Sequence, residues 1–182
     1  MVKQCSQVPG ICDAVKMAAN HGAVVVAAAG NQSRASVAYP ARAGGVIGVG
    51  ATTFRGCLGD YSDYGSGLDL VAPGGGKDSS VNTLNPNCNP AGKQYAIRQF
   101  GLNPQAVANG NFSRFKIVGL HGTSMAAAHV SGTAALLLAE HPGASPTDVL
   151  DRLKGCALPQ TDPKYYGAGL LDAARATSSA GC

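Results

Sequence analysis

Apolar positions along the chain follow two patterns, helical spacing and short continuous runs. Apolar side chains recur every third or fourth position over residues 11–20, which predicts a helix ended by His21-Gly22. Three continuous apolar runs are short enough to be strands, the first of them buried on both faces. These predicted strands are residues 23–29, 45–51 and 68–72.

The second half of the chain predicts two further helices. An apolar, alanine-rich stretch over residues 124–141 is typical of a long helix. Ser145 is predicted to cap the next helix, with Pro146 at its first position, Asp148 three residues after the cap and Gly155 past its end. Continuous apolar strands separated by helices predict an α/β fold with three layers, in which helices cover both faces of a mostly parallel sheet.

Residues 74–116 differ from the rest of the chain. They are rich in Asn, Pro and Gly and show little periodicity, so we expect a long loop or insertion with at most short strands. The chain has 182 residues, of which 45% are hydrophobic and 13% charged, enough for one domain with a sizeable core. We therefore expect one domain over residues 1–182, with a loop-rich insertion at about 74–116.

One turn has the features of a nucleophile site. Gly122-Thr123-Ser124 leads into the alanine-rich helix, so Ser124 lies at a helix N-terminus, where the helix dipole favours developing negative charge. A serine presented in this way can attack a carbonyl carbon. Serines also cap many helices, and these three residues alone favour that ordinary role. The longer context, residues 119–132, is far more specific and favours a nucleophile.

Asn31 is a candidate for stabilising an oxyanion. It directly follows the predicted strand at residues 23–29, and ligands of parallel sheets bind at the carboxyl ends of strands. Taken alone, Gly30-Asn31 is more typical of a simple turn.

Residues 119–132 closely resemble the serine segment of the subtilisin-like serine proteases, the subtilases. Other segments resemble the same family in the same order. They are residues 26–31, Tyr39-Pro40-Ala41, and residues 46–51, 61–65, 69–74 and 166–173. The resemblance covers essentially the whole chain except residues 74–116, which look longer than in a minimal member.

The resemblance implies a subtilisin-like fold and a serine endopeptidase mechanism that forms an acyl-enzyme on Ser124. It implies that Asn31 supplies the oxyanion amide together with the backbone N–H of Ser124. It further implies that Ala28, Ala29 and Gly30 line the pocket for the residue before the scissile bond, and Thr123 is assigned to substrate binding with them. No cofactor is expected to be required. Structural calcium is common in the family, although no acidic cluster here identifies ligands.

The chain also departs from the family pattern. The family's catalytic aspartate and histidine lie upstream of the oxyanion asparagine, in Asp-Ser/Thr-Gly and His-Gly-Thr-His segments. Only 30 residues precede Asn31, and neither segment is among them. Asp13 falls inside a predicted helix, and His21 falls at its end. The chain is therefore expected to represent the C-terminal two-thirds of a subtilase domain, with the N-terminal strands missing.

The other three histidines do not fill that gap in the sequence. His121 is three positions before Ser124, where a turn neighbour rarely approaches a hydroxyl correctly. His129 matches a histidine of the family's serine helix and is expected to be packed rather than catalytic. His141 precedes Pro142 at a helix end and is expected at the surface.

Three functional hypotheses follow. The first is a serine endopeptidase whose sequence lacks the segment carrying the aspartate and histidine. The second is a catalytically inactive subtilase-like fragment or binding module. The third, which we favour least, is completion by a separate chain that supplies strands from the middle of the sheet. The expected partners are a peptide or protein substrate and the missing N-terminal portion of the same domain.

Charge and hydropathy exclude other classes of partner. The formal net charge of +4 is mild, and the basic residues form no cluster typical of nucleic-acid binding. No apolar run approaches the ~20 residues needed to span a membrane, and the first 22 residues are not typical of a signal peptide. Residues 74–78 lack the serine or threonine that a phosphate-binding loop requires after its lysine.

Six cysteines favour disulfides and an oxidising compartment, so the full-length protein is expected to be extracellular. Their spacing fits no zinc site. Sequence proximity alone favours three of the 15 possible sets of pairs. The favoured pairs are Cys5–Cys12, Cys57–Cys88 and Cys156–Cys182.

Overall fold

The computed structural model describes residues 5–7, 9–81, 85–179 and 182. The helices are a 3-10 helix (Cys5–Gln7), α1 (Pro9–Asn20), α2 (Pro104–Ala108), α3 (Thr123–Glu140), α4 (Pro146–Gly155), α5 (Pro163–Tyr166) and α6 (Ala173–Ala176). The strands are β1 (Val25–Ala28), β2 (Val46–Thr52), β3 (Leu70–Pro73), β4 (Ile97–Leu102) and β5 (Phe115–Leu120).

Strands β1, β2 and β3 form a parallel sheet in that order. β2 lies in the middle, and all seven of its residues are buried. Val25 is in register with Val46 of β2, and Leu70 is in register with Val49. The parallel sheet with helices confirms the α/β fold class predicted from the apolar runs.

Helices cover both faces of this sheet. On one face α3 contributes Ala126 and Val130 to the main core, where they join Ile47 and Val49 of β2. On the other face Val15 of α1 joins a second cluster with residues of β1 and β2. Part of the sheet packs against the backbone of loops rather than against a helix. This close approach requires small residues in the strands. A Cβ atom built on Gly48 would lie 2.4 Å from the carbonyl oxygen of Gly67.

β1 is less buried than the sequence predicts. A run over residues 23–29 predicts a strand buried on both faces, but all four residues of β1 are only half-buried. β1 pairs with β2 on one side, and the described residues provide no strand on its other side. The strand therefore lies at an edge of the described sheet, with apolar side chains open to solvent.

The two predicted helices of the second half are confirmed within about one residue. α3 covers Thr123–Glu140 against a predicted 124–141. α4 begins as predicted, because the Ser145 side chain accepts a hydrogen bond from the Asp148 N–H while the Asp148 carboxylate accepts one from the Ser145 N–H. Gly155 is the last residue of α4 rather than the first beyond it.

Residues 74–116 contain more regular structure than the sequence predicts. β4 and β5 pair antiparallel over six residues each, and α2 lies in the connection between them. The alternation that marks a half-buried strand is absent from β4. Each face of β4 mixes apolar with polar residues, with Arg98 beside Phe100 on one and Ile97 beside Gln99 on the other.

All three predicted disulfides are confirmed. The structure pairs Cys5 with Cys12, Cys57 with Cys88, and Cys156 with Cys182. Disulfides of this number fit an extracellular, oxidising compartment.

Candidate active site

Ser124 lies in the first turn of α3, one residue after the helix begins at Thr123. The preceding Gly122 is the N-cap and contributes no side-chain hydrogen bond. The Ser124 side chain is exposed. An exposed hydroxyl beside the unsatisfied N–H groups of a helix start is placed where negative charge is favoured.

Asn31 contacts the residue directly before Ser124. Its Oδ1 accepts one hydrogen bond from the Thr123 N–H, at 2.9 Å, and a second from the Thr123 hydroxyl, at 2.8 Å. A backbone N–H can only donate, so the oxygen rather than the nitrogen of the carboxamide must face Thr123. The Nδ2 group, with its two N–H donors, is consequently the end that can reach a ligand. Asn31 itself is exposed.

Thr123 ties the loop after β1 to the start of α3. It is fully buried, and its hydroxyl also accepts a hydrogen bond from the Gly30 N–H at 3.3 Å. A side chain with no exposed surface cannot contact a bound substrate directly. The Thr123 side chain therefore lies behind the site, where it positions Asn31, and the assignment of Thr123 to substrate binding stays a prediction.

The three residues assigned to a pocket wall lie in different environments. Ala28 ends β1 and is half-buried, and Gly30 is also half-buried. Ala29 is completely buried, and its methyl group packs against Val37 and Ala41. The structure therefore leaves Ala28 and Gly30 available to a substrate, while the Ala29 side chain belongs to the core.

Asp63 lies beneath the loop that carries Asn31, and sequence reasoning missed it. Its carboxylate is fully buried, and Oδ1 accepts hydrogen bonds from the N–H groups of Gln32 and Arg34, at 3.0 and 2.8 Å. Its own N–H donates to the Gly30 carbonyl at 2.9 Å. The buried Oδ2 has no hydrogen-bond partner among the described residues. Asp63 thus fixes the backbone on both sides of Asn31.

Gly30 can be no other residue in this arrangement. Its φ is +118°, a value that side chains disfavour. A Cβ atom at this position would lie 2.2 Å from Oδ2 of Asp63. This backbone requirement holds whether or not Gly30 also lines a substrate pocket, which stays a prediction.

Tyr61 supports the other side of the site. Its hydroxyl donates a hydrogen bond to the Gly75 carbonyl at 2.8 Å, and its ring lies 5.4 Å from the His121 ring. Burial raises the pKa of the Tyr61 phenol well above its usual range, so the hydroxyl keeps its proton and stays a donor. The Gly122 N–H donates to the Gly74 carbonyl at 3.0 Å, so the turn before Ser124 is attached to the end of β3.

None of the four histidines has a hydrogen bond to Ser124 among the described residues. Nδ1 of His121 contacts Nε2 of Gln94 at 2.9 Å. His21 and His129 each contact a carbonyl oxygen of their own helix, four residues back, at 2.7 and 2.8 Å. His129 is exposed rather than packed, which differs from the sequence expectation.

The described part of the chain contains no group of three or more His, Cys, Asp and Glu side chains that could hold a metal ion. The expectation of a structural calcium ion, which main-chain and amide oxygens also bind, stays a prediction. No helix within the described ranges is both long and apolar enough to cross a membrane.

The sequence profile of the Subtilase family matches residues 3–169. The chain belongs to the subtilase family. Its relatives include Subtilisin BL of Lederbergia lenta, to which it is 35% identical over 164 residues, or 90% of this chain and 49% of that protein. Subtilisin NAT of Bacillus subtilis subsp. natto is 34% identical over 162 residues, or 87% of this chain and 34% of that protein.

Solved structures show the same relationship. A protease from Pseudoalteromonas arctica is similar to this subtilase chain with a TM-score of 0.74 and 30% identity, over 93% of this chain and 46% of that one. The self-cleaved protease domain of PatA gives a TM-score of 0.66 and 29% identity, over 91% of this chain and 53% of that one. The chain thus spans about half the length, or less, of the relatives that it matches.

Proposed function

We propose that this chain carries the nucleophile and the oxyanion donors of a serine endopeptidase. One observation carries the proposal: the Oδ1 of Asn31 is held by Thr123, so its Nδ2 is free to donate beside Ser124 at the start of α3. Membership of the subtilase family supports the same function, and so do the protease names of the relatives.

In the proposed reaction, Oγ of Ser124 attacks the carbonyl carbon of a peptide bond. The hydroxyl proton passes to a histidine base, and the carbonyl oxygen becomes an oxyanion. The Ser124 N–H and the Asn31 Nδ2 donate hydrogen bonds to that oxyanion. The C–N bond then breaks, the amine takes the proton from the histidine, and an ester remains on Ser124. Water hydrolyses this ester by the same steps in reverse order.

The histidine and the aspartate that orients it are proposed to come from a part of the same domain outside these residues. Two features support this proposal. No histidine of the chain has a hydrogen bond to Ser124 within the described residues, and β1 leaves an apolar edge without a neighbouring strand. The remaining strands would pair with that edge. The 182-residue chain alone is therefore proposed to hydrolyse peptides negligibly, and the full-length protease to be secreted.

The second candidate is an inactive subtilase-like fragment or binding module. The arrangement of the histidines also favours it, because a serine without a base is a weak nucleophile. The two candidate functions predict different sequences in the reading frame upstream of the Met1 codon. A frame that encodes Asp-Ser/Thr-Gly and His-Gly-Thr-His segments would support the protease, and a stop codon there would support the fragment.

A direct test is covalent labelling with a fluorophosphonate, which reacts with activated serines. Two proteins are compared, the 182-residue chain and the domain completed by its upstream segments, and the labelled residue is located by mass spectrometry. We expect Ser124 to be labelled in the completed domain and not in the chain alone. Ser131 is the control, because it is an exposed serine on the same helix whose hydroxyl donates to the Ala127 carbonyl at 2.9 Å.

The protease proposal would be overturned if Ser124 of the completed domain reacted with the fluorophosphonate no faster than Ser131. Strong labelling of Ser124 in the 182-residue chain would instead disprove its dependence on an outside histidine.

A further inference from the structure

The β4–β5 hairpin presents an apolar face to solvent. Residues directly opposite each other in an antiparallel pair lie on the same face. The pairs Phe100–Ile117 and Leu102–Phe115 therefore share one face with Arg98. We call these five residues the open hairpin face. Its four apolar side chains have exposed fractions of 75% (Phe100), 62% (Ile117), 54% (Phe115) and 39% (Leu102).

No other layer covers the open hairpin face among the described residues, and its two aromatic rings contact each other. The rings of Phe100 and Phe115 stack with their centroids 5.5 Å apart. Single exposed apolar residues are common on protein surfaces, but contiguous exposed patches mark sites of interaction. Four adjacent apolar residues on one face of a two-stranded sheet belong to the second class.

The net positive charge of the chain falls within the segment that contains the hairpin. No Asp or Glu occurs between Asp78 and Glu140, whereas this segment contains Lys93, Arg98, Arg114 and Lys116. These four account for the whole formal net charge of +4, because the other ten basic residues of the chain are matched by ten acidic ones. A ligand of the open hairpin face is therefore expected to combine apolar side chains with negative charge.

The hairpin lies on a defined side of Ser124. The turn before Ser124 is attached to β1 on one side, through Thr123 and Asn31, and to the end of β3 on the other, through Gly122 and Gly74. β4 continues from the β3 side, where the segment preceding it bridges Gly76. The hairpin is thus on the side of Ser124 away from Ala28 and Gly30, which are assigned to the residue before the scissile bond.

We propose that the open hairpin face is a secondary substrate-binding site. It binds an extended segment of a protein substrate on the leaving-group side of the scissile bond, and it selects segments that contain both apolar and acidic residues. Apolar side chains of such a segment lie against Phe100 and Phe115, while its carboxylates are attracted by the positive charge of the hairpin, which has basic residues and no acidic ones. This inference rests on the proposed peptidase function.

The test is a binding measurement that requires no catalysis. A fluorescein-labelled peptide, Asp-Phe-Glu-Ile repeated twice, is titrated with the Ser124→Ala chain and followed by fluorescence anisotropy. Two peptides serve as comparisons, one with lysine at every acidic position and one with serine at every apolar position. We expect the acidic, apolar peptide to bind at least about tenfold more tightly than either comparison, and more weakly as salt is added.

Two variants of the face are compared with two matched variants of α1. Arg98→Glu and Phe100→Ser are each expected to weaken binding by about five- to tenfold, the loss typical of truncating an energetically important contact. Lys16→Glu and Met17→Ser change the same kinds of exposed residue elsewhere and should leave binding unchanged; Met17 is 60% exposed. Circular dichroism checks that each variant is folded, and Arg98→Glu alters no buried group.

Equal binding of the three peptides would overturn the proposal, as would face variants that bind as well as the α1 variants. Capture of the chain by anionic lipid vesicles without peptide binding would assign the face to membranes instead, and self-association lost in Phe100→Ser would assign it to a second copy. Peptide binding does not depend on acylation. Failure of Ser124 labelling therefore refutes the peptidase function alone, and failure of peptide binding refutes the secondary site alone.

Discussion

The carboxamide oxygen of Asn31 accepts two hydrogen bonds from a single residue, Thr123, at 2.9 Å from its backbone nitrogen and 2.8 Å from its hydroxyl. One end of the Asn31 side chain is therefore structural, and the other is available for catalysis. The two roles can be separated by substitution.

Asn31→Asp should separate them. The carboxylate still accepts both hydrogen bonds from Thr123, so the free energy of unfolding should stay close to that of the wild type. It cannot donate to an oxyanion, so acylation of Ser124 in the completed domain should fall by about 10²–10³, a magnitude taken over from subtilisin, a protein of the same family. Asn31→Ala should lose both the donor and about 1–3 kcal/mol of stability, because the Thr123 N–H and hydroxyl lose the oxygen to which they donate.

Urea unfolding and the rate of fluorophosphonate labelling measure the two effects. Equal labelling rates for Asn31→Asp and the wild type would show that Nδ2 contributes nothing to catalysis.

Thr123→Val should destabilise the chain by about 1–3 kcal/mol, because the loss of the buried hydroxyl leaves the Gly30 N–H without its acceptor. Thr133→Val is the matched control on the same helix. Thr133 is 4% exposed, but its hydroxyl donates only to the His129 carbonyl of its own helix, at 3.0 Å. We expect a cost below about 1 kcal/mol there. Equal costs in urea unfolding would contradict the positioning role of Thr123.

Asp63→Ala should loosen the loop that holds Asn31. Its removal leaves the N–H groups of Gln32 and Arg34 without an acceptor, so their hydrogen exchange should accelerate and acylation of Ser124 in the completed domain should slow. Asp63→Asn keeps an acceptor at Oδ1 and should restore most of both properties. The positioning role is refuted if the alanine variant exchanges these two amides at the wild-type rate.

Asp148 should make the stability of α4 depend on pH. Its hydrogen bonds to the side chain and to the backbone of Ser145 lower the pKa of its carboxyl below the usual value of an aspartate. A lowered folded-state pKa contributes stability above the unfolded-state value, and this is lost as the pH falls through the folded-state value. Asp148→Asn should therefore be less stable than the wild type at pH 7, and the difference should shrink below about pH 4.

Thermal unfolding at several pH values measures this difference, with Asp151→Asn on the same helix as the control for charge alone. A difference between Asp148→Asn and the wild type that is the same at pH 3 and pH 7 would exclude the capping carboxylate as its source.

Features that depend on neighbouring residues could be predicted from the sequence. The start of α4 follows from Ser145 and Asp148, and the exposed position of Ser124 follows from a turn that runs directly into a helix. The disulfides joined cysteines that are close in sequence, so proximity alone was enough. The three strands of the parallel sheet followed from continuous apolar runs, which mark buried parallel strands.

Features that depend on residues far apart in the chain could not be predicted from the sequence. Asp63 lies in a segment that resembles the family, yet nothing local shows that its carboxylate reaches Gln32 and Arg34, about thirty residues earlier. Burial of the Thr123 and Ala29 side chains depends in the same way on elements brought together by folding. The sequence did not predict β4 for a different reason: both faces of this strand mix apolar and polar residues, so the two kinds of residue do not alternate along it.

Only His121 and Gly122 separate the end of β5 from the first residue of α3. A leaving segment retained on the hairpin would keep its new amino group close to the ester on Ser124, at an effective concentration that reaches the millimolar range for short connections. The amine would then compete with water for the ester. If the proposed peptidase function and the proposed hairpin site both hold, re-formation of the peptide bond is expected to compete with its hydrolysis.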